Sequence, residues 1–256
     1  TPIPLRLVGS EMCIRDRFQR IAKFIASSGL SSRREAERMI FEGRVQVDGK
    51  TIDTPAININ NNSNIKVDGK EISKQKKLRV WLFYKPVGSL VTNNDPKNRK
   101  TIFQILPNSM KRTIAVGRLD MNSEGLILLT NNGGFSRYME LPKNDFEREY
   151  KVRVHGKINS KRLSIIEKGS KIDGVYYMPI EVSMGKVTGT NSWLTMRLKE
   201  GKNREIRKVC KFIGLEVNRL IRTTYGPFEL ADLKKEEIRE VPSVFLRNTF
   251  KKYFYL

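Results

Sequence analysis

Histidine and cysteine are nearly missing from this chain, and most metal and redox chemistry goes with them. One histidine, His155, and two cysteines, Cys13 and Cys210, occur in 256 residues. They are too few for a disulfide framework or a familiar zinc cluster, so no metal site is expected. Long apolar runs are also absent. No stretch approaches the about 20 residues needed to cross a bilayer, and Leu5-Arg6-Leu7-Val8 is too short for a signal-peptide core. The expectation is a cytoplasmic protein with no membrane contact. Acidic side chains are the third shortage, 27 against 49 basic ones. No compact carboxylate cluster stands out, which argues against a metal nuclease.

What is present is positive charge. The formal net charge of +22 implies an anionic partner and says nothing about fold. It is spread along the chain: residues 18–78 carry 12 basic and 7 acidic side chains, and residues 79–256 carry 34 and 18. Both stretches are therefore candidates for phosphate contact, with an affinity that falls steeply as salt rises. The length suits one or two domains with a sizeable core. Residues 1–17 are polar and irregular after Val8 and receive no fold; an extension or a sequence artefact is the expectation there, Cys13 included.

The front of the chain reads as a small helical and hairpin unit. Ile21, Ala22, Phe24 and Ile25 give an apolar face to a short helix ending near Gly29. Ser31 or Ser32 can cap the next helix, with Glu35 placed for a capping box. That helix buries Ala36, Met39 and Ile40, exposes Arg33, Arg34 and Arg38, and stops at Gly43. Val45 and Val47 alternate into the turn Asp48-Gly49, and Ile65 and Val67 repeat the pattern into Asp68-Gly69. Residues 58–64 read as an Asn-rich loop, and Lys74, Lys76 and Lys77 as a basic linker within 73–78. Residues 18–68 resemble the alpha-L RNA-binding domain, through Leu30-Ser31-Ser32-Arg33-Arg34-Glu35-Ala36 and the following Ile40, Gly43, Val45, Val47 and Asp48-Gly49. The resemblance implies a domain over 18–72 that lays Arg33, Arg34 and Arg38 on structured RNA. Guanidinium forks suit phosphate oxygens and position a domain without reading bases. A solvated helix face accounts equally for any single arginine.

From Arg79 onward the periodicity changes. Val80, Leu82 and Tyr84 alternate as in a strand that ends at Lys85-Pro86. Residues 101–106 suggest a short helix or turn, and residues 114–116 a strand leading into Gly117-Arg118-Leu119-Asp120-Met121-Asn122-Ser123-Glu124-Gly125-Leu126. A second strand, 126–130, is closed by Asn131-Asn132-Gly133-Gly134. Asp120 thus lies on a connection between core elements, a good place for a positioned side chain.

This stretch closely resembles the catalytic loop of bacterial pseudouridine synthases that modify ribosomal RNA, in the RsuA/RluB branch. Tyr84-Lys85-Pro86-Val87-Gly88 is similar to a first motif, Tyr150 within Arg148-Glu149-Tyr150-Lys151-Val152 to a second, and Gly201-Lys202-Asn203-Arg204-Glu205-Ile206-Arg207-Lys208-Val209 to a third. The resemblance spans residues 18–246 with the motifs in order. It implies an α+β fold: the small RNA-binding domain, then a catalytic domain over 79–246 built on a mainly antiparallel mixed sheet, then a basic aromatic tail, 247–256.

It also implies a chemistry. Asp120 is the essential residue in converting one uridine to pseudouridine without metal or organic cofactor, either by attacking the ribose or by removing a ribose proton; the family favours the second. Tyr150 packs on the target base first and assists proton transfer second; without that context it is an ordinary core residue. Arg207 pairs with Asp120. Arg118, Leu119 and Leu220 support the base pocket. Lys85 is either part of the pocket floor with an RNA contact or simply ends a turn, while Lys202, Arg204 and Lys208 contact RNA. Position 205 is glutamine in many relatives and glutamate in others. Cys210, Trp81 and Trp193 are assigned to packing, residues 232–246 to a lysine-rich helix start and closing segment, and the tail either to RNA or to docking.

The partner implied is ribosomal RNA or a ribosome assembly intermediate, bound by a monomer. The wording around Trp81, residues 117–125 and residues 203–207 is most like the large-subunit modifiers. A small-subunit modifier is the nearest rival, and a non-catalytic RNA-binding assembly factor the rival of another class.

Overall fold

A computed structural model describes residues 19–60, 62–72 and 77–254. Residues 1–17, Lys74, Lys76 and the last two residues of the 247–256 tail lie outside the described residues. The chain divides between Lys76 and Lys77 into two compact units.

The first unit contains β1 (Gln19–Arg20), α1 (Ile21–Ser27), α2 (Arg33–Phe41), β2 (Val45–Val47), β3 (Lys50–Thr51), β4 (Asn58–Ile59), β5 (Ile65–Val67) and β6 (Lys70–Glu71). Ile21, Ala22, Phe24 and Ile25 of α1 pack with Ala36 and Ile40 of α2 and with Val45, Ile65 and Val67 of the strands. Ser32 caps α2, its hydroxyl accepting from the Glu35 backbone N–H at 3.2 Å. The Glu35 carboxylate turns to Arg38 instead of closing the capping box. Asp48-Gly49 and Asp68-Gly69 both have positive φ at each position, 49° and 82°, then 51° and 75°. That is the twist-matched hairpin turn expected of Asp-Gly. The Asn-rich loop is shorter than its composition suggests: Asn58 and Ile59 pair with Arg20 and Gln19, because Ile59 is buried in the core.

The second unit contains β7 (Val80–Lys85), α3 (Ile102–Ile105), β8 (Ile114–Val116), β9 (Glu124–Thr130), α4 (Gly133–Glu140), β10 (Arg148–His155), α5 (Ser160–Glu167), β11 (Ser170–Ile172), β12 (Val175–Tyr177), β13 (Glu181–Thr188), β14 (Asn191–Leu198), α6 (Glu205–Phe212), β15 (Glu216–Tyr225), β16 (Phe228–Glu229), β17 (Ile238–Glu240), α7 (Ser243–Thr249) and α8 (Lys251–Phe254). Nine strands form one sheet in the order β13-β14-β10-β15-β9-β7-β17, with β16 on β15 and β8 on β9. The pairing of β9 with β15 is parallel and the others are antiparallel.

Every residue of β9 is buried, because both sheet faces are covered. Ile127 and Leu129 enter one apolar cluster with Val209 and Cys210 of α6 and Leu163 of α5. Leu126 and Leu128 enter the other with Phe135 of α4 and Leu246 of α7. Fully burying such side chains stabilises the fold by about 1.5–3 kcal/mol each.

The strand ends at Thr130 as expected, and a helix that the sequence reading did not place follows: the Asn132 carboxamide oxygen accepts from Gly134 and Phe135 N–H at 2.8 and 3.0 Å and starts α4, which buries Phe135 and Met139. One local expectation changes here. No helix starts at 232. Turns precede β17, which extends the sheet beside β7, and α7 then runs across the 246/247 division. The tail docks: Phe250 is 2% exposed, edge-on to Phe135 and stacked on Phe228. Among the described residues no helix is long and apolar enough to cross a membrane.

Candidate active site

The loop between β8 and β9 is held at several points by its backbone. Gly117 adopts φ +69° and its N–H donates to the Glu140 carboxylate at 3.0 Å. The Ser123 N–H donates to the Asp120 carbonyl at 3.0 Å, closing a tight turn. Gly88 N–H donates to the Met121 carbonyl at 2.8 Å, and Arg207 Nη2 to the Asn122 carbonyl at 2.8 Å. The segment after β7 and helix α6 therefore fix the turn that carries Asp120. Its carboxylate is half-buried, with Arg204 Nη1 3.7 Å from Oδ2.

Beneath the loop lie charges that the sequence reading placed elsewhere or passed over. Lys85 is fully buried, and Nζ donates to the Ser123 carbonyl at 2.7 Å and the Pro86 carbonyl at 3.0 Å. Burial pulls its pKa down to about 8, against the opposing pull of Asp120 and Glu124. Lys85 thus supports the loop from below, and the expected RNA contact is corrected: a side chain with no exposed surface cannot reach a phosphate. Glu124 is also buried. It accepts from Arg219 Nε at 2.5 Å and Tyr84 hydroxyl at 3.2 Å, with Lys235 Nζ at 3.4 Å. Burial opposes its ionisation, but the Arg219 hydrogen bond and charge outweigh that and hold its pKa below the ordinary range. Burial, then the Glu124 charge, raises the Tyr84 pKa.

Leu119, Tyr150 and Leu220 are buried in one cluster, and Leu220 of β15 stands opposite Val152 of β10. Tyr150 is 9% exposed, so most of its ring is already covered. It stands between Met196 of β14 and Arg222 of β15 in the pairing register.

The two arginines exchange parts. The direct ion pair expected of Arg207 is made by Arg204, whose φ of 52° lifts it off the start of α6. Arg207, half-buried, donates Nη1 to the Val217 carbonyl at 3.0 Å besides holding Asn122. Burial, then nearby Arg204, lowers its pKa, and the Asp120 charge opposes them. Arg118 and Lys208 are exposed. Lys202 is tied to Glu200 and to the Tyr176 carbonyl, above the Tyr177 ring.

The candidate contacts of the first unit are described apart from this site. Arg33 pairs with Glu37, Arg38 with Glu35 and Glu42, and Arg34 is exposed with no ion pair among the described residues.

Sequence reasoning missed Glu124, Arg219, Arg222 and the environment of Glu205. The signal for Glu124 was a lone acid heading the apolar run Leu126 to Leu129. Arg222 is 3% exposed and donates Nε to the Leu126 carbonyl at 2.7 Å, bracing the parallel β9–β15 junction. Glu205 is buried at the head of α6, and its pKa is pushed up to about 8 by burial and by Glu200 beside it. Cys210 is buried and its thiol pushed up to about 12 by burial, as packing requires.

Residues 79–212, which include the Asp120 loop, β10 and α6, match the family model for RNA pseudouridylate synthase. The chain belongs to that family. Residues 19–65 match the S4 domain model. An RNA pseudouridine synthase of Rickettsia felis, described as uncharacterized, is 46% identical over 228 residues, covering 89% of this chain and 99% of that protein. The ribosomal large subunit pseudouridine synthase B of Pasteurella multocida is 39% identical over 218 residues, covering 83% of this chain and 63% of that protein. A crystal structure of a pseudouridylate synthase shares the fold, with a TM-score of 0.62 at 23% identity over 89% of this chain and 98% of that one. The RsuA/RluB-type resemblance and the α+β architecture are borne out by these matches.

Proposed function

We propose that this protein isomerises one uridine of large-subunit ribosomal RNA to pseudouridine, with Asp120 as the catalytic carboxylate. The observation that carries the reading is the placement of Asp120: a half-buried acid beside Arg204, next in sequence to Leu119 of the apolar cluster that also holds Tyr150 and Leu220. The large-subunit assignment is supported by the synthase B relatives of Pasteurella multocida and Haemophilus influenzae, 39% and 38% identical.

The reaction breaks the bond from ribose C1′ to ring N1, turns the base, and joins C1′ to C5. The proton leaving C5 balances the one gained at N1, so the step is redox-neutral and calls for no cofactor. Asp120 acts either on the ribose carbon as nucleophile or on a ribose proton as base, and each role needs it ionised. Tyr150 contacts the base and assists proton transfer at C5, with Leu119 and Leu220 beneath it. A flipped-out base suits such a pocket. Arg118, Arg204 and Lys208 offer exposed charge to phosphates in the second unit, with Lys202 beside them, and Arg33, Arg34 and Arg38 do so in the first. The protein works as a cytoplasmic monomer on rRNA or an assembly intermediate.

The deciding experiment maps pseudouridine chemically in both rRNAs, free and in assembly intermediates, with wild type and Asp120→Asn. One new large-subunit site, formed by wild type alone, is the expected result. A small-subunit site moves the substrate to the other subunit. Tight binding with no new site overturns the enzyme reading in favour of an assembly factor.

A further inference from the structure

Helix α6 begins on a pair of carboxyl groups that the reaction does not use. Glu205 is 3% exposed. Its Oε2 accepts from the Lys202 backbone N–H at 2.8 Å, closing the turn that leads into the helix. Its Oε1 is buried with no hydrogen-bond partner among the described residues, and the Glu200 carboxyl neighbours the Glu205 group. Glu200 is itself occupied, accepting from the Met178 N–H at 2.8 Å and from the Lys202 ammonium. The groups facing Glu205 are Glu200 and Lys202 on its own turn, with Tyr177 of β12 beneath Lys202 and Arg204 adjacent in the chain.

Two neighbouring ionised carboxylates, with one ammonium bound to Glu200, leave a repulsion and an unsatisfied buried oxygen. Both are costly away from water. A single proton removes both: carried on Glu205 Oε1, it converts the orphan acceptor into a donor toward Glu200. A carboxylic acid kept neutral by a buried site can serve as a hydrogen-bond donor at neutral pH. Arg204 stands between this turn and the helix, in the left-handed conformation that directs its guanidinium to Asp120.

We propose that Glu205 is a positioning residue that works as a neutral acid, donating from Oε1 to Glu200 and accepting at Oε2 from Lys202, so that the turn aims Arg204 at Asp120. The pair thereby sets an alkaline limit on conversion, a consequence that rests on Asp120 being the catalytic group. Loss of the proton places a second negative charge beside Glu200 and loosens the turn.

Two measurements on the full-length protein separate the parts. In carbon-13 NMR of glutamate-labelled protein, one side-chain carboxyl carbon should titrate near the raised value of about 8 and vanish from the set in Glu205→Gln. Titration of all carboxyl groups in the ordinary acid range overturns the neutral-acid assignment, whatever the protein does to RNA. Single-turnover conversion is then followed from about pH 6 to about pH 9.5, spanning the titration of the pair. Glu205→Gln, whose amide makes both hydrogen bonds at every pH, should stay within about twofold of wild type at neutral pH and lose the alkaline limb specific to wild type. Glu205→Leu should be slowed about tenfold or more at all pH values, because it makes neither bond. A Glu205→Gln profile that superimposes on wild type, or a Gln variant as slow as Leu, overturns the positioning role. A titrating Glu205 in a protein that forms no pseudouridine would instead sink the functional reading and leave the acid pair standing.

Discussion

Arg204 reaches Asp120 from the first residue before helix α6, Nη1 3.7 Å from Oδ2, while Arg207, one turn along, holds the Asn122 carbonyl of the same loop at 2.8 Å. One arginine touches the acid and the other touches its backbone, so their removal should have different signatures. Arg204→Ala should slow conversion by about 10- to 100-fold, since it removes charge at the carboxylate. Its stability should change by less than about 1 kcal/mol, as for other exposed pairs. Arg207→Ala should cost about 2 kcal/mol of stability by leaving the Asn122 and Val217 carbonyls without their donors. Urea unfolding beside single-turnover kinetics distinguishes the two; equal stability losses would refute the division of labour.

Gly125 meets Arg222 at the parallel pairing of β9 and β15. A Cβ on Gly125 would fall 2.4 Å from the Arg222 carbonyl oxygen and 2.8 Å from its nitrogen, at φ +104°. Backbone cannot yield there as a side-chain end can. Gly125→Ala should destabilise by about 3 kcal/mol or more. A urea midpoint close to wild type would show that the junction relaxes.

The buried Lys85 ammonium makes stability respond to alkaline pH. Its folded pKa of about 8 lies below the ordinary lysine value of 10.5, so in that window the unfolded chain holds a proton that the folded one has released. Stability from this group therefore rises with pH between the two values. Lys85→Met should be less stable overall, because the Ser123 and Pro86 carbonyls lose their donor, and should lack this rise. Urea titrations at several alkaline pH values test the slope; parallel curves for the two proteins would refute it.

Phe250 joins the aromatic group formed by Phe135, Tyr138, Phe146 and Phe228. Phe250→Ala should cost about 3–5 kcal/mol through lost burial and the cavity left behind. Removal of residues 247–256 should cost at least as much. Thermal unfolding measures both, and a tail that could be removed without loss would contradict the docking.

Arg34 is the member of the α2 arginine group with no ion pair among the described residues. If it neutralises one phosphate, Arg34→Ala should reduce the slope of log affinity against log salt by about 1. Arg33 and Arg38, held by i,i+3 and i,i+4 acids, should change it less. Filter binding across a salt series reads the slopes directly.

Local signals carried much of the architecture. Asp-Gly turns, the Ser32 cap and the alternation in β7 depend on neighbours a few residues away, and each appears where the sequence placed it. The same holds for Asp120, whose loop is framed by Gly117 and Gly125 within one short motif. Legibility failed where a weak local pattern was overruled by burial. Gly133-Gly134 closes the strand as read, but α4 behind it went unread and rests on the burial of Phe135 and Met139; residues 238–240 carry little strand signal, yet the open edge of β7 recruits them.

The sequence by itself determined the positive charge that calls for an anionic partner and, through contiguous motifs, the family and the place of Asp120 on its loop. Tertiary structure decided which arginine pairs with that acid, that Lys85 is support and not an RNA contact, that Glu205 stands against another carboxyl, and that the tail docks. Those outcomes rest on contacts such as Asn122 with Arg207 and Lys85 with Ser123, 85 and 38 residues apart. Charge and motif are properties of the chain, whereas ionisation, pairing and burial depend on the low-dielectric surroundings that only packing creates.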